Sequence, residues 1–202
     1  MNIKMVIGII LLIVIGIFVS FQEYPVNDSR SPQTVATTSP SQSIDEYVGV
    51  ISTGASGQNV YTNNKYGFRF TYPQGWRVGN NILGMPYGGT LQLFNYADTE
   101  HGASSKGFTK GENKIEAAIV PSSAPSPYSS SEYPASIKTT QLVVAGEIAV
   151  RTDVELIVGG EKSRSYLLPL KNMSGQSLRI TIGGDSSNFY VLDDLVKSII
   201  WK

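Results

Sequence analysis

The sequence contains no cysteine and a single histidine in 202 residues. Without cysteine, a disulfide framework, a thiolate-ligated metal, a thiol nucleophile and a lipidated cysteine are all excluded. Net charge is missing too, because 16 basic residues balance 16 acidic ones. That balance removes the usual electrostatic reason to expect nucleic acid as a partner. Phosphate-cradling motifs are absent as well: Gly88-Gly89 and Gly183-Gly184 lack both the Lys-Ser/Thr that follows a phosphate loop and the G-x-G-x-x-G spacing, so they read as turn glycines.

The chain divides into three segments of unlike composition. Residues 1–21 carry 16 apolar side chains, residues 22–46 carry 5 in 25, and residues 47–202 carry 62 in 156. The mean hydropathy of -0.04 is therefore the cancellation of an apolar start by a polar stretch. Residues 5–21 form an uncharged run of 17 residues. As a helix this run spans about 25 Å, near the lower limit for crossing a bilayer. Lys4 precedes it and Glu23 and Asp28 follow it, which predicts a cytoplasmic N-terminus and an extracytoplasmic remainder. Ile17, Phe18, Val19, Ser20 and Phe21 are bulky where a signal peptidase needs small residues, which favours an uncleaved signal anchor over a cleaved signal peptide. The expected organisation is a transmembrane signal anchor over 1–22, a Ser/Thr/Pro-rich linker over 23–57 and a folded domain over 58–202. The expected localisation is a single-pass membrane protein, with the membrane itself as partner through residues 5–21.

Between 24 and 43, 11 of 20 residues are Ser, Thr or Pro. Such a segment has too little to bury to offset the entropy of ordering itself, and reads as a tether. A second Pro/Ser stretch, residues 121–136, holds 7 Ser and 4 Pro in 16 residues and interrupts good strand patterning. Tyr128 and Tyr133 lie in it and are the candidate partner contacts. Residues 97–111 form a third loop, which carries the lone histidine, His101.

In the folded segment Tyr66, Phe68, Phe70 and Tyr72 alternate with Gly67, Arg69 and Thr71, the period-two pattern of a half-buried strand. Further strands are expected over 90–96, 114–120, 138–144, 148–158, 162–170 and 177–182. Gly159-Gly160 and the Ala145-Gly146-Glu147 turn predict hairpins, so the second half reads as an antiparallel meander. After Asp185-Ser186-Ser187 the period changes, and Phe189, Leu192, Leu195, Val196 and Ile199 fall on one helical face. Asp193 and Lys197 are placed as an i to i+4 pair on the opposite face, and Ile200-Trp201 reads as a short final strand. The predicted class is α+β: an N-terminal transmembrane helix followed by a central antiparallel sheet packed by helices.

The run Tyr66-Gly67-Phe68-Arg69-Phe70-Thr71-Tyr72-Pro73-Gln74-Gly75-Trp76 resembles the opening motif of PsbP-like domains. The turn Val144-Ala145-Gly146-Glu147-Ile148-Ala149 and the ending Leu192-Asp193-Asp194-Leu195-Val196-Lys197-Ser198-Ile199-Ile200-Trp201 are similar to the same family. The resemblance covers residues 58–202 and implies a small membrane-anchored bacterial protein with a central antiparallel sheet between helices. It carries no catalytic residue. Where family members place a helix before the meander, this chain has the 121–136 loop.

Chemistry is hard to find. Ser104 and Ser105 near His101, with Asp98 and Glu100 beside it, supply the residue types of a hydrolase without a recognisable arrangement. No ligand spacing suits zinc or calcium, and Asp193-Asp194 point about 100° apart on a helix. No cofactor and no catalytic set are expected. The leading expectation is a non-enzymatic, membrane-tethered extracytoplasmic domain that binds or supports another envelope protein. The alternatives are an envelope hydrolase using the His101 loop and a small-ligand binding module with an apolar pocket left open beside the Tyr66 to Tyr72 aromatic face.

Overall fold

The structure, a computed structural model, describes residues 44–85, 89–97, 107–125, 135–157 and 159–202. In chain order the strands are β1 (Val50–Thr53), β2 (Asn59–Asn63), β3 (Phe68–Tyr72), β4 (Arg77–Asn81), β5 (Thr90–Phe94) and β6 (Asn113–Pro121). They continue with β7 (Ala135–Val144), β8 (Glu147–Leu156), β9 (Lys162–Pro169), β10 (Gln176–Gly184) and β11 (Ile200–Trp201), and a helix, α1 (Phe189–Lys197), precedes β11. A four-stranded sheet runs β1-β2-β3-β11 and a seven-stranded sheet runs β4-β5-β6-β10-β9-β8-β7, with all pairs antiparallel.

The expected α+β class is thus corrected. Two antiparallel sheets dominate, and the described residues contain one α-helix, nine residues long. Three short strands make much of the difference. Short and without a clear apolar alternation, the sequences VIST, NVYTN and RVGNN of β1, β2 and β4 do not read as strands, yet each pairs with a neighbour that satisfies its backbone. The stretch read as linker, 23–57, includes a short 3₁₀ turn at Ile44–Tyr47 and β1 among its described residues.

No helix among the described residues is long and apolar enough to cross a membrane. The run 5–21, on which a transmembrane signal anchor was expected, lies outside those residues. The membrane-spanning part of the predicted class and the single-pass membrane localisation are therefore not supported.

The two sheets and α1 share one core. Alternation turns Leu178, Ile180 and Ile182 of β10 and Ile115 and Ala117 of β6 inward, where all are buried. They meet Tyr61, Phe68 and Phe70 of the small sheet and Leu192, Leu195 and Val196 of α1. The aromatic alternation read from the sequence is this packing: Tyr61 stacks on Phe70 at 5.1 Å between ring centroids, and Trp201 meets Phe68 edge-on at 6.0 Å. Ser198 joins the end of α1 to β3, accepting the Thr71 backbone N–H at 2.8 Å.

Helix α1 is also fixed by charge. Asp193 was expected to pair with Lys197 on a solvated face; it accepts instead from Arg164 Nη1 and from the Tyr166 hydroxyl, each at 2.7 Å. Lys197 pairs with Asp194 at 3.1 Å. Arg164 reaches Asp153 as well, at 2.6 Å. Arg151 Nε lies 3.1 Å from the other Asp153 oxygen but is not aligned to donate to it.

Candidate functional site

The sheet face opposite the core carries the candidate site. Along β6 and β10 the outward positions are Lys114, Glu116, Ala118 and Val120 facing Gly183, Thr181, Arg179 and Ser177 in register. Together with Phe108, all but Ser177 line a groove of about 310 Å³. A second recess of about 500 Å³ adjoins it, sharing Phe108 and Gly183, and is bordered by Lys110, Glu161, Lys162 and Asp185.

Phe108 separates the two. Its ring lies over Gly183, where a methyl built on the glycine would stand 3.6 Å from Cε2, and it stays 44% exposed. The ring meets Tyr96 edge-on at 6.0 Å, and Tyr96 packs on Phe94 at 5.5 Å. Arg77 covers the Phe94 ring at 5.2 Å and donates to the Tyr96 carbonyl. The rim is thus an aromatic ridge backed by a guanidinium.

Local hydrogen bonding places Phe108. Asp185 accepts the backbone N–H of Gly111 at 2.8 Å and that of Ser187 at 2.9 Å, so it joins the Phe108 loop to the turn that starts α1. These hydrogen bonds hold its carboxyl below the usual carboxylate range. Asn113, fully buried, donates to the carbonyls of Gly183 and Asp185 and accepts from Asn188 at 2.8 Å. Thr109 N–H donates to Glu112 at 2.8 Å.

At the other end the groove is closed by the start of the 121–136 segment. Arg179 Nη2 donates to the carbonyls of Ala124 at 3.0 Å and Pro125 at 2.7 Å, and the Ser122 and Ser177 hydroxyls share a bond of 2.8 Å. Burial pushes the Arg179 guanidinium below its ordinary basicity. On the floor, Glu116 pairs with Lys114 at 3.1 Å and accepts from Gln92 Nε2 at 3.2 Å.

The described ends of two loops singled out from the sequence therefore border one groove. Their central residues, including the partner-contact candidates Tyr128 and Tyr133 and the hydrolase set Asp98, Glu100, His101, Ser104 and Ser105, lie outside the described residues. Among the described residues no group of three or more His, Cys, Asp or Glu is placed to hold a metal ion. Sequence reasoning missed Arg179 and Phe108. In Leu178-Arg179-Ile180-Thr181-Ile182 alternation gives Arg179 only an outward position, and nothing in the sequence signals the turn that meets it.

No family model matches this chain, and no curated protein matches it. Among solved structures the chain is similar to cyanobacterial PsbP from Synechocystis sp. PCC 6803, at 12% identity and a TM-score of 0.47, over 75% of this chain and 98% of that one. It is also similar to the Saccharomyces cerevisiae Ran-binding protein Mog1p, at 10% identity and a TM-score of 0.43, over 76% of this chain and 95% of that one. The first of these carries the name of the family that residues 66–76 resemble; membrane anchoring and bacterial membership, implied by the same resemblance, gain no support from either.

Proposed function

We propose that this protein is a non-enzymatic protein-binding module that receives a partner segment in the β6/β10 groove. The observation that carries the reading is the half-exposed Phe108 ring held over Gly183, in one groove with Arg179 on the outer face of the sheet. Aromatic and arginine side chains beside a small recess are what protein interfaces use as anchors, because they bury much surface for little ordering entropy. The groove follows the outward positions of β6 and β10 between Phe108 and the turn at 121–125. Tyr128 and Tyr133 follow Pro125 in the sequence, and we propose them as partner contacts.

The test is selection of a displayed random peptide library on the full-length chain. Enriched peptides are expected to lose at least tenfold in affinity, about 1.4 kcal/mol, on Phe108→Ala and on Thr181→Trp, which fills the floor. Failure to enrich any peptide, or binding indifferent to both substitutions, overturns the reading.

A further inference from the structure

We infer that the partner segment is acidic, and that the groove takes a carboxylate on Arg179 with a neighbouring apolar side chain against Ala118, Val120 and Phe108. This rests on the protein-binding reading above and names the chemistry of the partner. Three charged side chains line the groove: Lys114, Glu116 and Arg179. Lys114 and Glu116 neutralise one another at 3.1 Å, and Gln92 takes up further capacity of the same carboxylate. Among the described residues, Arg179 is the groove cation without a carboxylate partner.

Its partners among the described residues are two backbone carbonyls, both reached by the single nitrogen Nη2. No carboxylate of the described residues pairs with it, in contrast to Arg164, which holds two. A half-buried guanidinium with carbonyl partners alone has lost water without gaining a counter-charge. Nη2 is taken up by the two carbonyls, which leaves the Nη1 donors to give a charge-assisted bond to one carboxylate oxygen. The apolar half of the groove is supplied by Ala118, Val120 and the Phe108 ring, so the fitting ligand joins an acid to a hydrophobic side chain. An extended peptide does this with residues i and i+2, whose side chains share one face.

Two displayed random libraries of the same design separate the claims, one containing Asp and Glu and the other carrying Asn and Gln in their place. Binders to the full-length chain are expected from the acidic library only. Exchange of the selected acid for its amide is expected to weaken binding at least tenfold, and Arg179→Gln to abolish the difference between acid and amide, while Arg179→Lys retains part of it. Because Arg179→Gln can also disturb the 121–125 turn, the peptide-side exchange reads the same contact on unaltered protein. Equal enrichment from both libraries, with acid and amide bound alike, overturns the carboxylate inference and leaves the protein-binding reading standing. No enrichment from either overturns both.

Discussion

Arg164 on β9 and Asp193 on α1 are joined at 2.7 Å, and Asp193 uses its second oxygen to accept the Tyr166 hydroxyl. The pair is about four-fifths buried, with side chains 20% and 21% exposed. Asp193→Ala leaves the Tyr166 hydroxyl without its acceptor and Arg164 with Asp153 alone, and is expected to cost about 2–3 kcal/mol of unfolding free energy. Chemical denaturation measures it, and a double-mutant cycle with Arg164→Met should show coupling of about 1–2 kcal/mol. Additive losses would mean that the helix is held by its apolar face alone.

Two buried tyrosines make the fold sensitive to alkali. Burial, opposed by the Asn63 bond, pushes Tyr61 up to about 12; burial and then the hydrogen bond to Asp193 push Tyr166 up to about 12. A raised folded-state value favours the neutral form, so this stability is complete below about pH 10, where the unfolded phenol titrates, and is lost as pH rises through 12. Denaturation midpoints measured across that window should fall, and Tyr166→Phe should make the fall shallower.

The β7–β8 hairpin carries a correctable strain. Its two-residue turn places Ala145 at φ 48° and Gly146 at φ 85°, both in the left-handed region. Asn-Gly suits such a turn, whereas a left-handed alanine costs about 1–2 kcal/mol. Ala145→Asn is expected to raise Tm by about 2–4 °C, read by calorimetry. An unchanged or lower Tm would show that the turn relaxes without cost.

Gly49 lies flat against the Tyr61 ring, and a methyl group built there would stand 2.1 Å from Cε2. Tyr61 is fully buried and stacked on Phe70, so the ring cannot retreat. Gly49→Ala is expected to destabilise by about 1–3 kcal/mol, with the loss seen in urea denaturation. Tyr61→Leu in the same background should recover part of it.

How far the sequence disclosed this molecule follows from what each signal measures. Alternation located β3, composition rich in β-branched, Leu or aromatic residues between turn formers located β5 to β10, and the change of period located α1. These signals could not locate β1, whose four residues are all exposed, or β2 and β4, five residues each, in which apolar side chains do not alternate with polar ones. Turn residues give the meander that ends in β9 and β10, but nothing in the sequence states that β10 also pairs with β6. The same limit hid the groove: Phe108 looked like one apolar residue in a Gly/Lys loop, and Arg179 and Asp193 like ordinary solvent-facing charges. Each acquires its role from residues more than 25 positions away, namely Gly183, Ala124 and Arg164.

That strand order also sets a timetable. β6 ends at Pro121, yet its inner neighbour β10 begins only at Gln176, and β3 waits for Ile200 and Trp201 to complete the smaller sheet. As the chain leaves the ribosome, β4 to β6 present an unpaired edge until the β7 to β9 meander and β10 have been made, and the groove floor does not exist before then. Folding is therefore governed by late, long-range pairing and should be slow for a chain of this size.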